Sequence, residues 1–502
     1  MCYKFIKKVK IMKKLLCVVI SAIMIFGLSA SAFAVQGDVY PEVYIHGLNA
    51  ATLYADVDDP DSKMSFQFSG DLKAIIKDKL IPALVKYSVD RDIDAVASVI
   101  IDEIDTVIAP YYNNPDGTAK DNSGVILYYP QNVSKNSRCA FVYDWRGNPI
   151  EIAKDLNDYI DYVLSKSGSD KVAITCHSLG SIIAVSYLSL YGYDKVSGIV
   201  FDSPALYGAS YIGELLCGEV ELNGASLSNF LKLIMTETEY NDLVSDTLDV
   251  FELAGIPDML AVFLEDVLTE LSPALYKELL VPFFGRWLTI WAMCPDKYLD
   301  NAMSFVFDEV CKDEDLSALK GKIIEFNEKV REDKTETLLS FDEDGKIAVL
   351  SRYGFTAMPV TDSWNVMTDA VVDTSSTSFG AITANVGSSF DDKYLEGKDM
   401  SFVSPDRSVD ASSCLFPDKT WFIKNAKHED VGLTSPLYKE LLFSSEELTC
   451  DTYKYSRFIL NDNGVLVEDN TEPAVKEPVT PLARLFRFLR SIFDFILKLF
   501  KK

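Results

Sequence analysis

TCHSLGS, residues 175–181, stands between a β-branched run, KVAI (171–174), and a small-residue run, IIAVSYLSLYG (182–192). A strand that turns at one serine into a helix with small neighbours is the pattern of a nucleophile elbow. The small neighbours let strand and helix approach closely, and the sharp turn lifts the hydroxyl clear of the sheet. The pattern here is Cys176-His177-Ser178-Leu179-Gly180, with cysteine where the G-x-S-x-G form has its first glycine. The competing reading of Ser178 is a plain helix-capping serine, and the rest of the chain bears on the choice.

Around this stretch, short β-branched runs alternate with helix-like segments, which predicts an α/β fold with a mainly parallel sheet, helices on both faces and a helical cap insertion. The expected strands are PEVYIHGLN (41–49), RCAFVYDWRG (138–147), DKVAITCHS (170–178) and VSGIVFDSPAL (196–206), then KIAVLSRYGF and TWFIKNAKH later in the chain. PIEIAKDLNDYIDYVL opens with proline and sets Ile150, Ile152, Leu156, Ile160 and Val163 on one helical face. The core therefore reads as two parts, 35–206 and 336–465. A helical insertion falls at about 71–108, and a longer helical cap or lid covers 207–335. A linker is expected at 466–481.

The 502-residue chain carries a formal charge of −27. Its first residues hold six lysines, then an apolar run from Leu15 to Leu28 and AFA at Ala32–Ala34. This predicts a signal peptide over 1–34, starting at Met1 or Met12 and cut after Ala34, hence a secreted protein or one at the extracellular surface. Losing those lysines takes the charge to about −33, which argues against nucleic acid as a partner, because phosphate backbones attract basic surfaces. The seven remaining cysteines are scattered without a C-x-x-C pair, a poor zinc or redox signature. Most are expected to be buried small hydrophobes, although export permits a disulfide. DVDDPDSK (56–63) lacks the glycine and terminal glutamate of an EF-hand loop, so no metal is expected there.

An acyl-transfer serine needs two N–H donors for the developing oxyanion and a general base. Leu179, directly after the serine, supplies one donor; Leu48, after the strand-ending His46-Gly47, supplies the other. Three histidines are present. His46 belongs to the glycine turn, and His177 sits beside the serine as a packing residue. His428, after TWFIK, is left as the base, in the Ser…Asp…His chain order. Asp369, in TDAVVDTSSTSFGA after KIAVLSRYGF, is the leading acid. Asp202 at the end of GIVFD and Asp406 and Asp410 in SPDRSVDASS remain alternatives.

HGLN, FVYDWR, TCHSLGS and a late DAVV…KH, in this order, resemble the α/β-hydrolase superfamily, and more narrowly its lipase-like members related to lecithin:cholesterol acyltransferase. The resemblance covers roughly 39–206 and 346–430. It implies a serine carboxylester hydrolase, an esterase or lipase working through an acyl-enzyme without a cofactor. Tyr143-Asp144-Trp145-Arg146 reads either as a substrate contact or as an ion-paired aromatic cluster that holds the sheet. Phe283, Phe284, Trp287 and Trp291 in the cap are expected to line the acyl pocket. An amidase or acyltransferase on the same triad is the enzymatic alternative, and a catalytically silent, surface-anchored binding protein is the non-enzymatic one. In residues 482–502, charges at Arg484, Arg487, Arg490, Asp494, Lys498 and Lys501 recur every three or four positions among Leu, Ile and Phe. This amphipathic basic helix fits peripheral contact with a membrane, or packing on the acidic body or on a second copy.

Overall fold

The computed structural model describes residues 38–64, 75–235, 251–252 and 254–473. The leader and the basic tail lie outside the described residues. Eight strands form the main sheet: β1 (Glu42–Ile45), β2 (Arg138–Phe141), β3 (Val172–His177), β4 (Val196–Asp202), β5 (Lys346–Tyr353), β6 (Thr420–Lys424), β7 (Phe458–Asp462) and β8 (Val465–Glu468). Their spatial order is β8-β7-β6-β5-β4-β3-β1-β2, parallel from β2 through β7, with β8 antiparallel at the edge.

The central strands are apolar on both faces, as a covered parallel sheet requires. Along β3, Val172, Ile174 and Cys176 belong to the larger core, which also takes in Leu156 and Ile160 of α1 (Pro149–Ser167) and Ile182 and Val185 of α2 (Gly180–Tyr191). Ala173 points the other way, with Val200 and Leu350, onto Leu437 and Leu441 of α3 (Val431–Phe443). Asn148 accepts from Ile150 N–H ahead of Pro149, and Gly168 in the left-handed region ends α1. The period-2 and period-3.6 patterns of the sequence are therefore the two sides of one layered core.

One difference from the sequence reading stands out. FILND and VLVE pair as β7 and β8, so the core runs on past 465 and the expected linker start at 466 falls inside a strand. Asp469 and Thr471 are also tied down: Tyr353 Oη donates to Asp469 at 3.1 Å, and Lys424 Nζ to Thr471 at 2.8 Å. The two helical insertions pack on each other. Ala83, Tyr87 and Val96 of the first form a satellite cluster with Val267 and Leu271 of the second, and Tyr87 Oη donates to Glu270.

The seven cysteines within the described residues are unpaired, and all but Cys217 are buried. Among the described residues, no helix is long and apolar enough to cross a membrane.

Candidate active site

Ser178 follows β3 directly and takes φ +54°, a left-handed conformation that costs a non-glycine residue strain. The turn is held on every side. Ser178 N–H donates to Asp202 O at 3.1 Å, while Ser178 O accepts from Ser181 N–H, Ser181 Oγ and Ala205 N–H. A Cβ on Gly180 would stand 2.4 Å from Ile45 O, so only glycine lets α2 start this close to β1. Cys176 does not need to be glycine, because its side chain is buried among the sheet's own atoms, with Sγ 3.6 Å from Val200 O.

His46-Gly47 follows β1, beside the elbow. A Cβ on Gly47 would lie 2.9 Å from Ser178 Cβ and 3.2 Å from His177 Cδ2, which puts the glycine turn against the serine. The YDWR segment holds this turn in place. Tyr143 stacks on His46 with ring centroids 4.2 Å apart, and its hydroxyl donates to His46 O at 2.7 Å. Trp145 Nε1 donates to Ala51 O at 3.0 Å. Arg146, fully buried, pairs with Asp144 at 2.7 Å and reaches Tyr111 O. These are the contacts of an ion-paired aromatic cluster. Leu48 packs at the edge of the main core.

His428 and Asp369 come from the loops after β6 and β5. His428 Nδ1 is 2.7 Å from Asp369 Oδ2, and His428 N–H donates to Asp369 O at 2.8 Å. Opposite a carboxylate, Nδ1 is the ring nitrogen placed to donate. The other Asp369 oxygen accepts from Val371 N–H at 3.0 Å and Val372 N–H at 2.7 Å. Burial works against the Asp369 charge, but the His428 ring and its hydrogen bond, with the Val372 N–H, outweigh it and hold the carboxyl below its ordinary value.

The alternative acids have other partners. Asp202 forms a fully buried ion pair with Arg352 at 2.7 Å and accepts from Thr434 Oγ1 and Tyr438 Oη of α3. Asp406 binds Lys424, Ser404 and Ser408. Asp410 binds Lys398, Tyr394 and Ser412; burial opposes its charge, yet these partners bring its pKa down to about 2. Of the four carboxylates, Asp369 is the one hydrogen-bonded to His428.

His177 is closer to the site than a packing residue beside the serine was expected to be. Its ring centroid lies 4.7 Å from that of His428, and Nδ1 donates to Asp202 O at 3.0 Å. Burial, then the neighbouring His428, push its pKa down to about 3, and burial takes His46 to about 4. Both are neutral imidazoles. Ser178 and His428 are themselves only 5% and 6% exposed.

The four cap aromatics form packing rather than an open wall. Trp287 stands edge-on to Trp145 and donates Nε1–H to Tyr111 O; Trp291 stacks on Phe307 and donates to Gly285 O. Phe283 and Phe284 pack on Trp287. A cleft of about 560 Å³ opens elsewhere, between Tyr207, Lys297 and Asp373, and includes neither Ser178 nor His428. Among the described residues, no group of three or more His, Cys, Asp or Glu gathers as metal ligands would.

A family model described as alpha/beta hydrolase fold matches residues 127–221, the span from before β2 to beyond β4 that carries the elbow. With the mostly parallel eight-stranded sheet and its flanking helices, this gives the chain an α/β-hydrolase fold and supports its place in that superfamily. No curated protein matches the chain. Among solved structures, one similar chain is found in "The crystal structure of Tle4-Tli4 complex", at 16% identity and a TM-score of 0.19. The similarity covers 36% of this chain and 48% of that one, so this chain spans about half the length of that relative.

Proposed function

We propose that the protein is an exported serine carboxylester hydrolase, an esterase or lipase that works through an acyl-enzyme. The observation that carries this reading is the 2.7 Å pair of His428 Nδ1 and Asp369 Oδ2, its imidazole 4.7 Å from the ring of His177, which directly precedes a serine held at φ +54° between strand and helix. Arranged this way, His428 Nε2 takes the Ser178 proton as Oγ attacks the ester carbonyl carbon. The carbonyl oxygen becomes an oxyanion that the N–H groups of Leu48 and Leu179 stabilise. Collapse breaks the ester C–O bond, and the imidazolium returns the proton to the departing alkoxide. Water then attacks the acyl-enzyme by the same route, with His428 again as base. Asp369 keeps Nδ1 protonated and stabilises the imidazolium through each step.

The narrower resemblance to the lecithin:cholesterol acyltransferase group favours lipid esters. The 482–502 segment would then hold the enzyme at an anionic lipid surface, with its cationic stripe toward headgroups. The test is turnover of p-nitrophenyl esters from acetyl to palmitoyl by the mature protein, beside Ser178→Ala and His428→Ala. The reading requires that both variants lose activity by about 10³-fold or more, as removal of a triad member does. A folded wild-type protein inert on every ester would contradict it.

A further inference from the structure

The base loop and the end of β4, whose Asp202 carbonyl holds the elbow, meet at one buried side chain that touches none of the reacting atoms. Arg352, near the end of β5, is completely inaccessible. Its Nη1 donates to His428 O at 2.6 Å and to Ser203 Oγ at 3.0 Å. Its Nη2 lies 2.7 and 2.8 Å from the two Asp202 carboxylate oxygens and 2.8 Å from Thr434 Oγ1. The backbone carbonyl of Asp202 accepts from Ser178 N–H and from His177 Nδ1–H. On the third side, Thr374 Oγ1, at the end of the acid loop, donates to Arg352 O at 3.2 Å.

The sheet explains the convergence. Val200, Leu350 and their strand neighbours at two-residue spacing face α3, so Asp202 and Arg352 emerge on that face at the carboxyl ends of β4 and β5. There Thr434 and Tyr438, one helical turn apart on α3, close over Asp202. An ion pair this buried adds little net stability over an apolar pair. A planar, multidentate donor that ties the end of β4, the His428 loop and α3 together does something an apolar pair cannot: it fixes geometry.

We propose that Arg352 is a positioning residue, fixing the backbone of His428 relative to Ser178 through its bond to His428 O and its pair with Asp202. This rests on reading Ser178 and His428 as the catalytic pair. Lysine at 352 keeps the charge opposite Asp202 but cannot hold Asp202 and His428 O with one planar group.

The test compares Arg352→Lys with Arg457→Lys. Arg457 is also buried and donates to Pro417 O, Ser401 O and Asp418 at a distance from the site, so it reports the cost of shortening a buried arginine. Two quantities are read: p-nitrophenyl ester kinetics, and the His428 Nδ1 proton resonance, assignable because the chain has three histidines. Misplacing a base by a fraction of an ångström should lower kcat roughly 10- to 100-fold. The proposal expects that loss in Arg352→Lys with KM within about twofold, together with a displaced His428 resonance, while Arg457→Lys keeps both near wild type.

If Arg352→Lys does not fold, Arg352→Gln/Asp202→Asn, which removes both charges and keeps a donor facing an acceptor, is read in the same way and with the same expectation. Equal kcat and an unmoved His428 resonance in Arg352→Lys would overturn the positioning role. A wild-type protein that neither cleaves esters nor takes a serine-directed label at Ser178 would instead sink the hydrolase reading. The resonance then decides alone: a displaced His428 proton still supports positioning, and an unmoved one overturns it.

Discussion

His428 meets Asp369 twice, ring to carboxylate at 2.7 Å and backbone N–H to backbone carbonyl at 2.8 Å. The second contact fixes the main chain, so the first is not left to side-chain rotamers. Asp369→Asn keeps the backbone contact and much of the shape but favours the wrong tautomer of His428. The expected result is a kcat lower by about 10⁴-fold with the fold retained. Asp406→Asn, whose carboxylate serves Lys424 and two serines, should leave kcat within about threefold. Steady-state kinetics on both variants checks this, and equal losses would point away from Asp369 as the acid.

The hydroxyl of Tyr143 reaches back to His46 O, so the glycine turn is braced from β2. Tyr143→Phe keeps the ring stack on His46 and removes one buried hydrogen bond. Stability should fall by about 1 kcal/mol. If Leu48 N–H belongs to the oxyanion hole, kcat should fall about tenfold as the turn relaxes, with KM little changed. A variant with lowered stability and full kcat would separate the brace from catalysis.

Gly47 has no room for a methyl group: its Cβ would sit 2.9 Å from Ser178 Cβ. Gly47→Ala is expected to push the turn and the elbow apart, lowering the rate of ester cleavage by about 10²-fold in a protein that still folds. Gly180→Ala, whose Cβ would meet Ile45 O at 2.4 Å, strikes backbone instead and should destabilise by about 1–3 kcal/mol. Urea titration and kinetics on the two variants distinguish a fault in the site from a fault in the core.

His46 and His177 are neutral in the folded chain well below the ordinary histidine value near 6.5, with pKa values of about 4 and about 3. The unfolded chain therefore binds more protons than the folded one below pH 6.5. Stability should rise as pH increases from about 4 to 6.5, by about 1.4 kcal/mol per pH unit for each histidine, and level off above. His177→Phe should remove about one proton's worth of that slope. Unfolding free energies measured at several pH values between 4 and 7 test it; an unchanged slope in the variant would show that His177 does not carry the linkage.

The elbow and the glycine turn were legible because each rests on local chemistry, a serine between strand and helix and a glycine ending a strand, and His428 was reached by elimination among three histidines. Asp369 was named only as the leading one of four carboxylates that fit the chain order, and the pairing with His428 that separates them exists only in three dimensions. Asp202 was a sound rival by position, yet its partner Arg352 lies 150 residues away and carries no sequence signal that links the two. The strands Phe458–Asp462 and Val465–Glu468 were hidden by their brevity and by the Pro- and charge-rich stretch that follows. Trp287 and Trp291 read as pocket lining because apolarity does not tell a cavity wall from a packed interior.

The most direct measurement is covalent labelling of the mature, folded protein with a fluorophosphonate, followed by peptide mapping. One adduct, on Ser178, formed rapidly in the wild type, slowed in His428→Ala and absent from Ser178→Ala, is the predicted result. No adduct on a folded wild-type chain, or an adduct on another serine that persists in Ser178→Ala, would contradict a nucleophile at the elbow.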